Sequence, residues 1–329
     1  MSSATPPFKD AAGRLVAGSV AEAGFWRIGG IDQWVVVRGL SAANPVLVVL
    51  HGGPGSPETV FFRATNAAIE DAYTVVYWDQ RGAGRSFSKA IPPETMTVAQ
   101  FVADLDELVE QLRGRFAKAK VAILGHSWGS ALGVLYAQKY PDKVSVYVGV
   151  GQVADMAASE AASYAFAMRM AQERGNRAAI RQLQAIGPPP HTMKALTTQR
   201  RWLMALGGAF GPNLSLPRLI WRGLTGPEAS PLDLVRLVRG SSFSTRLLWG
   251  QLVTMNLGRD ALGFAMPVYF ALGRLDMQVV ATVSAAYFEA LSAPFKQLVW
   301  FEHSGHMAPF EEPALFNRLM IDQVRAHAG

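Results

Sequence analysis

The sequence predicts an α/β protein: a mostly parallel, doubly wound sheet with a helical cap inserted between its later strands. Three observations predict it. Short, fully apolar runs alternate with helix-type segments through the first 150 residues, the signature of a sheet covered on both faces. That alternation stops near Gln152 and resumes near Val268. One apolar run, residues 121–124, leads directly into Gly125-His126-Ser127-Trp128-Gly129, a strand entering a tight turn and then a helix.

The elements follow in order. Phe25-Trp26-Arg27-Ile28 and Gln33-Trp34-Val35-Val36-Val37 flank Gly29-Gly30 and read as a hairpin. Val46-Leu47-Val48-Val49-Leu50 and Thr74-Val75-Val76-Tyr77-Trp78 read as buried strands, with a helix over roughly 58–71 between them. Over 97–112, Phe101, Leu105, Leu108 and Leu112 recur at spacings of three and four, which predicts an amphipathic helix. Residues 131–140 form the helix behind the turn, stopped by Pro141, and 144–150 form the next strand. From 152 to 265 the chain offers long helical stretches punctuated by Gly187-Pro188-Pro189-Pro190, Gly211-Pro212, Pro217 and Gly226-Pro227. The pattern then resumes with a strand at 268–272, a helix at 279–291, a strand at 297–301 and a closing helix at 313–326. The organisation is therefore a first core part (1–151), a cap insertion (152–265) and a second core part (266–329).

Composition narrows the function classes. Half of the 329 residues are apolar and 17% are charged, as in a globular chain. No apolar run approaches the roughly 18 residues of a bilayer span. The polar start, Met1 to Lys9, has no apolar stretch behind it, so no secretory signal is expected. Zero cysteines remove disulfides, a thiolate nucleophile and Cys-held metals, and a cytoplasmic enzyme is expected. Residues 152–265 carry 13 Lys and Arg against 6 Asp and Glu, so the net charge of +6 belongs entirely to the middle segment. Dense basic runs with interleaved aromatics are missing, so nucleic acid is not an expected partner. The Arg-rich segment reads as a solvated helical surface, or as a field that favours anionic substrates or membrane surfaces.

The chemistry centres on Ser127. In Gly-x-Ser-x-Gly the glycines clear the space around a strained turn that lifts the serine hydroxyl to the sheet's carboxyl edge. A serine hydroxyl is a poor nucleophile until a base takes its proton. In the chain order Ser, acid, His, Asp276 lies just beyond strand 268–272 and His306 just beyond strand 297–301. Asp276 is then the residue that orients the imidazole and His306 the base. His303, nearer the strand end, is the competing base. His51-Gly52-Gly53-Pro54-Gly55 directly follows strand 46–50, where an oxyanion loop belongs, and the backbone N–H groups of Gly53 and Trp128 are the assigned donors. His51 reads as a residue pinning that loop. Asp79-Gln80-Arg81-Gly82-Ala83-Gly84-Arg85-Ser86 lacks a P-loop Lys-Ser/Thr. It reads as a brace for the site's rim, with Asp79 and Arg81 paired. No His, Asp or Glu cluster has metal-ligand spacing, so neither a metal nor an organic cofactor is expected.

Together these segments look like the α/β-hydrolase fold. His51-Gly-Gly-Pro-Gly55, Asp79-Gln-Arg-Gly-x-Gly-Arg-Ser86, Gly125-x-Ser-Trp-Gly129 and Gly305-His306 resemble the proline iminopeptidase family of serine peptidases. The resemblance implies release of an N-terminal residue, typically proline, from short peptides, with Ser127, Asp276 and His306 as the triad. Those peptidases hold the substrate's free amine with cap carboxylates. Here 174–227 contains no Asp or Glu but eight Arg or Lys, leaving Glu160, Glu173 and Glu228 as candidate substrate-binding residues. An esterase, lactonase or amidase for an apolar small molecule, with or without a carboxylate, is the alternative. A non-catalytic ligand receptor on the same fold is the second. A carboxylate-nucleophile hydrolase is disfavoured by serine at 127.

Overall fold

Eight strands form one sheet in the order β1-β2-β4-β3-β5-β6-β7-β8. The computed structural model describes residues 5–226, 228–230 and 232–329. β1 (Val20–Ile28) and β2 (Ile31–Gly39) pair as an antiparallel hairpin, and β2 also runs antiparallel to β4 (Thr74–Trp78). The hairpin's two-residue turn is Gly29-Gly30, with φ of 55° and 76°, the left-handed pair that matches strand twist. All remaining neighbours are parallel: β3 (Val46–Leu50), β5 (Val121–His126), β6 (Val144–Val150), β7 (Val268–Gly273) and β8 (Lys296–Phe301).

The sheet is apolar on both faces because each central strand feeds two cores. Val46, Val48 and Leu50 pack into one cluster while Leu47 and Val49 pack into the other, the alternation that a period of two imposes. Fully burying each such side chain contributes about 1.5–3 kcal/mol, so this strand is fixed in register by its own side chains.

Helices cover both faces. α1 (Thr59–Asn66) and α2 (Ile69–Ala72) replace the single helix expected over 58–71. α3 (Val98–Phe116) is capped by Thr97, whose hydroxyl accepts the Gln100 N–H, and buries Phe101, Leu105, Leu108 and Leu112. α4 (Trp128–Lys139) begins one residue after Ser127.

Between β6 and β7 the described residues form no extended strand. They form α5 (Met156–Glu173), α6 (Arg177–Ile186), α7 (Met193–Ala205), α8 (Leu216–Leu224), α9 (Asp233–Leu252) and α10 (Leu257–Asp260). α5 and α6, with the end of α7, close a small core of their own around Ala167, Ala171, Ala179, Leu183 and Leu206. α11 (Ala281–Ala290) follows β7, and α12 (Ala308–Glu311) and α13 (Pro313–Arg318) follow β8.

The closing helix expected over 313–326 does not run through. After α13 it widens into a π turn at Leu319–Gln323 and tightens into a 3-10 turn at Val324–His327. The Tyr73 hydroxyl donates to the Met320 carbonyl at 2.7 Å, drawing on an acceptor of that segment from outside it.

Among the described residues, no helix is long and apolar enough to cross a membrane.

Candidate active site

Ser127 joins β5 to α4 with φ 54° and ψ −120°, a left-handed conformation that costs a residue with a Cβ on the order of 1–3 kcal/mol. Packing enforces it. The turn brings Gly125 against the Gly129 carbonyl and Gly129 against the Leu50 carbonyl, so closely that neither position has room for a Cβ. The Ser127 N–H donates to the Val150 carbonyl at 2.9 Å, and its own carbonyl accepts from the Ser130 N–H at 2.8 Å and the Ser130 hydroxyl at 2.6 Å. The backbone is thus tied to β6 and α4, and the side chain is left to the sheet's edge.

Asp276 and His306 meet. Asp276 Oδ2 lies 2.8 Å from His306 Nδ1, and both residues are buried. Asp276 Oδ1 accepts the N–H groups of Gln278 and Val279 at 2.8 and 3.0 Å, so the carboxylate is held by its own loop and presents its second oxygen to the ring. Nδ1–H donating to that oxygen leaves Nε2 as the free lone pair, the tautomer a general base needs.

Gly151 makes the approach possible. It follows Val150, the backbone partner of Ser127, has φ 50°, and a Cβ there would stand 3.0 Å from the His306 ring and 3.5 Å from Asp276 Oδ2. Among the described residues, no hydrogen bond joins the Ser127 hydroxyl to His306. Such contacts tighten when substrate binds. His303 is exposed and its backbone N–H donates to Glu312, while His306 faces Asp276.

The loop expected to receive an oxyanion follows β3. Gly53 has φ 115° and a cis peptide to Pro54. Trp128 is the first residue of α4, so its N–H has no partner within the helix. His51 pins this loop as expected: its Nδ1 is 2.8 Å from the Gly52 carbonyl and its Nε2 accepts the Gln80 N–H at 3.1 Å. Burial holds the His51 ring below the ordinary histidine range despite nearby Glu58, which fits a neutral ring that donates on one side and accepts on the other. The Gln80 amide donates to the His51 carbonyl at 3.2 Å and accepts the Trp128 indole N–H at 2.9 Å. One side chain therefore joins the two segments expected to supply the oxyanion donors.

The Asp79–Arg81 pair does not form. Arg81 is bidentate to Asp104 of α3 at 2.8 and 3.0 Å and also donates to the Gly29 carbonyl. Asp79 instead accepts the Arg85 N–H at 2.9 Å. Gln33 and Gln100 join Arg81 on Asp104, which is buried in the interior. Burial pushes Asp79 up to about 7, against the pull of Arg85.

The three candidate amine ligands scatter. Glu160 is buried and ion-paired with Arg200 of α7. Glu173 ends α5 at the surface beside Arg169. Glu228 is paired with Arg63 and accepts the Thr5 hydroxyl at 2.5 Å. It lines a cavity of about 120 Å³ whose apolar walls include Trp34, Phe61 and Leu237, and whose lining contains none of Ser127, Asp276 or His306.

Three braces were not singled out in the sequence. Glu311 accepts the N–H groups of Gly211, Gly305 and Met307, tying the loop after α7 to the loop of His306. Burial raises its carboxyl above the usual range against those three N–H groups. Ala209, in the same loop, accepts the His306 N–H at 2.8 Å. Glu58 lies buried against His126. Nothing in the local pattern around these residues marks them, because each contact closes across the fold.

The comparisons with known proteins agree with this architecture. A sequence model of the family described as the alpha/beta hydrolase fold matches residues 45–313. The chain is similar to a probable aminopeptidase, YbaC, of Bacillus subtilis, 31% identical over 302 residues that cover 91% of this chain and 95% of that one. It also resembles a probable proline iminopeptidase of Streptomyces coelicolor, 43% identical over 108 residues, 32% of each chain. The solved proline iminopeptidase of Mycobacterium smegmatis shares the fold with a TM-score of 0.65 at 17% identity, over 93% of this chain and 99% of that one.

Proposed function

The chain belongs to the α/β-hydrolase fold family, and on that premise we propose that it is a serine hydrolase releasing the N-terminal residue from short peptides. Ser127 Oγ attacks the carbonyl carbon as His306 Nε2 takes its proton, and Asp276 stabilises the resulting imidazolium. The N–H groups of Gly53 and Trp128 receive the developing oxyanion. His306 then protonates the leaving amine, the C–N bond breaks, and an ester to Ser127 remains. Water, deprotonated by His306, cleaves that ester and restores the hydroxyl. The observation that carries this reading is the 2.8 Å Asp276–His306 contact packed over Gly151, beside a serine held at φ 54°. The choice of a peptide substrate rests on the names of the relatives.

A second reading, an ester or lactone hydrolase, is favoured by a specific arrangement. Glu160 and Glu228 already face Arg200 and Arg63, so each carboxylate's charge is answered within the protein rather than left for an ammonium group.

Hydrolysis of proline p-nitroanilide beside p-nitrophenyl butyrate, with Ser127→Ala as control, separates the two. Release from the prolyl amide, lost in the variant, supports the peptidase. Ester turnover alone, lost in the variant, selects the second reading. Turnover of both substrates by the variant at the parent rate removes the serine mechanism.

A further inference from the structure

His126, the residue before Ser127, is buried between two oxygen acceptors. Its Nδ1 stands 2.6 Å from Glu58 Oε1, and its Nε2 stands 2.9 Å from the His306 carbonyl oxygen. A neutral imidazole has one N–H and can satisfy only one of them; its other nitrogen would turn a lone pair on an oxygen. With Glu58 ionised, both contacts are hydrogen bonds only for the imidazolium.

The titratable groups facing this ring come from four segments. They are Glu58 ahead of α1, His51 after β3, Asp276 after β7 and His306 after β8, whose ring centroid is 5.0 Å away. Burial opposes a charge on His126. The Glu58 carboxylate, the His306 carbonyl and Asp276 outweigh it and hold the ring above the ordinary histidine range.

The pair lies against the nucleophile. Glu58 Oε1 and the Ser127 Cβ each stand 3.2 Å from the point where a Gly52 Cβ would sit, so at most twice that distance separates them. The main chain of His306 is gripped from two directions: its N–H by Ala209, from the helical segment between β6 and β7, and its carbonyl by His126, from the sheet. Only the second grip belongs to the same rigid element as the nucleophile.

We propose that Glu58 and His126 form a second, charged pair whose work is to position the base: a buried imidazolium, anchored by Glu58, that holds His306 through its backbone carbonyl. His126 acts through His306, so it is a positioning residue. The proposal rests on the reading of Ser127 and His306 as nucleophile and base.

Two measurements test it. The first is a pH titration of the full-length protein labelled with ¹⁵N-histidine, with His126→Gln identifying the resonances. Both His126 ring nitrogens are expected to be protonated at pH 7.5. A neutral His126 at that pH overturns the proposal. This measurement does not depend on turnover, so it stands even if the serine mechanism fails.

The second is the pH profile of kcat, and of Ser127 modification by a fluorophosphonate, in Glu58→Gln and Glu58→Asp. Loss of the carboxylate removes the group that keeps His126 charged. In Glu58→Gln the alkaline limit should therefore move down by about one pH unit or more. At pH 8 kcat should fall about tenfold, with KM nearly unchanged. Glu58→Asp should recover most of the profile. A wild-type profile in folded Glu58→Gln overturns the proposal. If neither variant folds, the titration of the parent protein decides. A parent protein that neither turns over substrate nor reacts with the phosphonate overturns the serine mechanism instead.

Discussion

The Trp128 indole N–H and the Gln80 side-chain oxygen are 2.9 Å apart, and the same Gln80 amide donates to the His51 carbonyl at 3.2 Å. The two segments assigned to the oxyanion donors, the loop after β3 and the start of α4, are therefore spaced by one buried side chain from the loop after β4. Gln80→Leu strips a partner from a buried indole N–H and from a buried carbonyl, each costing about 1–3 kcal/mol. The expected result is a lower Tm and a kcat reduced about tenfold with a small change in KM. A kcat equal to the parent's would show that the donors hold their places without this bridge.

Ser127→Ala removes the proposed nucleophile and leaves the elbow's backbone bonds intact, since they use only main-chain atoms of residue 127. kcat should fall by about a million-fold while thermal unfolding stays within a few degrees of the parent. Steady-state assays against the substrate that the parent prefers check this.

Asp276→Asn keeps the size of the side chain and reverses what it offers to His306. An amide nitrogen facing Nδ1 favours the tautomer with the proton on Nε2, which can no longer accept from serine. kcat should drop by about 10⁴ with KM nearly unchanged. An unchanged kcat would place the orienting acid elsewhere.

Asp79 gives a pH dependence of stability. Its folded pKa of about 7 lies above the ordinary carboxylate value of 3.8, so between these values the folded state binds the extra proton. Stability therefore falls as pH rises from about 4 to 7 and levels off above that. About three pKa units correspond to at most about 4 kcal/mol. Asp79→Asn, whose carbonyl can still accept the Arg85 N–H, should remove this fall and be more stable than the parent at pH 8. Urea unfolding at pH 5 and pH 8 measures it; equal slopes in both proteins would contradict the assignment.

The strands were legible in the sequence because they are buried on both sides. Val46–Leu50, Thr74–Trp78 and Val144–Val150 have the same bounds in the structure as in the apolar runs. The helix ends were less so. Nothing local in 313–326 says that Tyr73, at the end of α2, will take the Met320 carbonyl. The buried role of Asp104 is not legible locally, because its partners Arg81 and Gln33 come from 23 and 71 residues away. The glycines of the elbow are readable from spacing, whereas Gly151 is needed only once His306 has arrived from the far end of the chain. Glu58 is unreadable for the same reason: its partner His126 lies 68 residues along the chain.

The most direct test of the central claim is the intact mass of the protein after exposure to a fluorophosphonate, followed by peptide mapping. The account predicts a single adduct, located on Ser127, that forms at a rate greatly reduced in His306→Asn and does not form in Ser127→Ala. An adduct on another residue, or an unmodified parent protein, would contradict it.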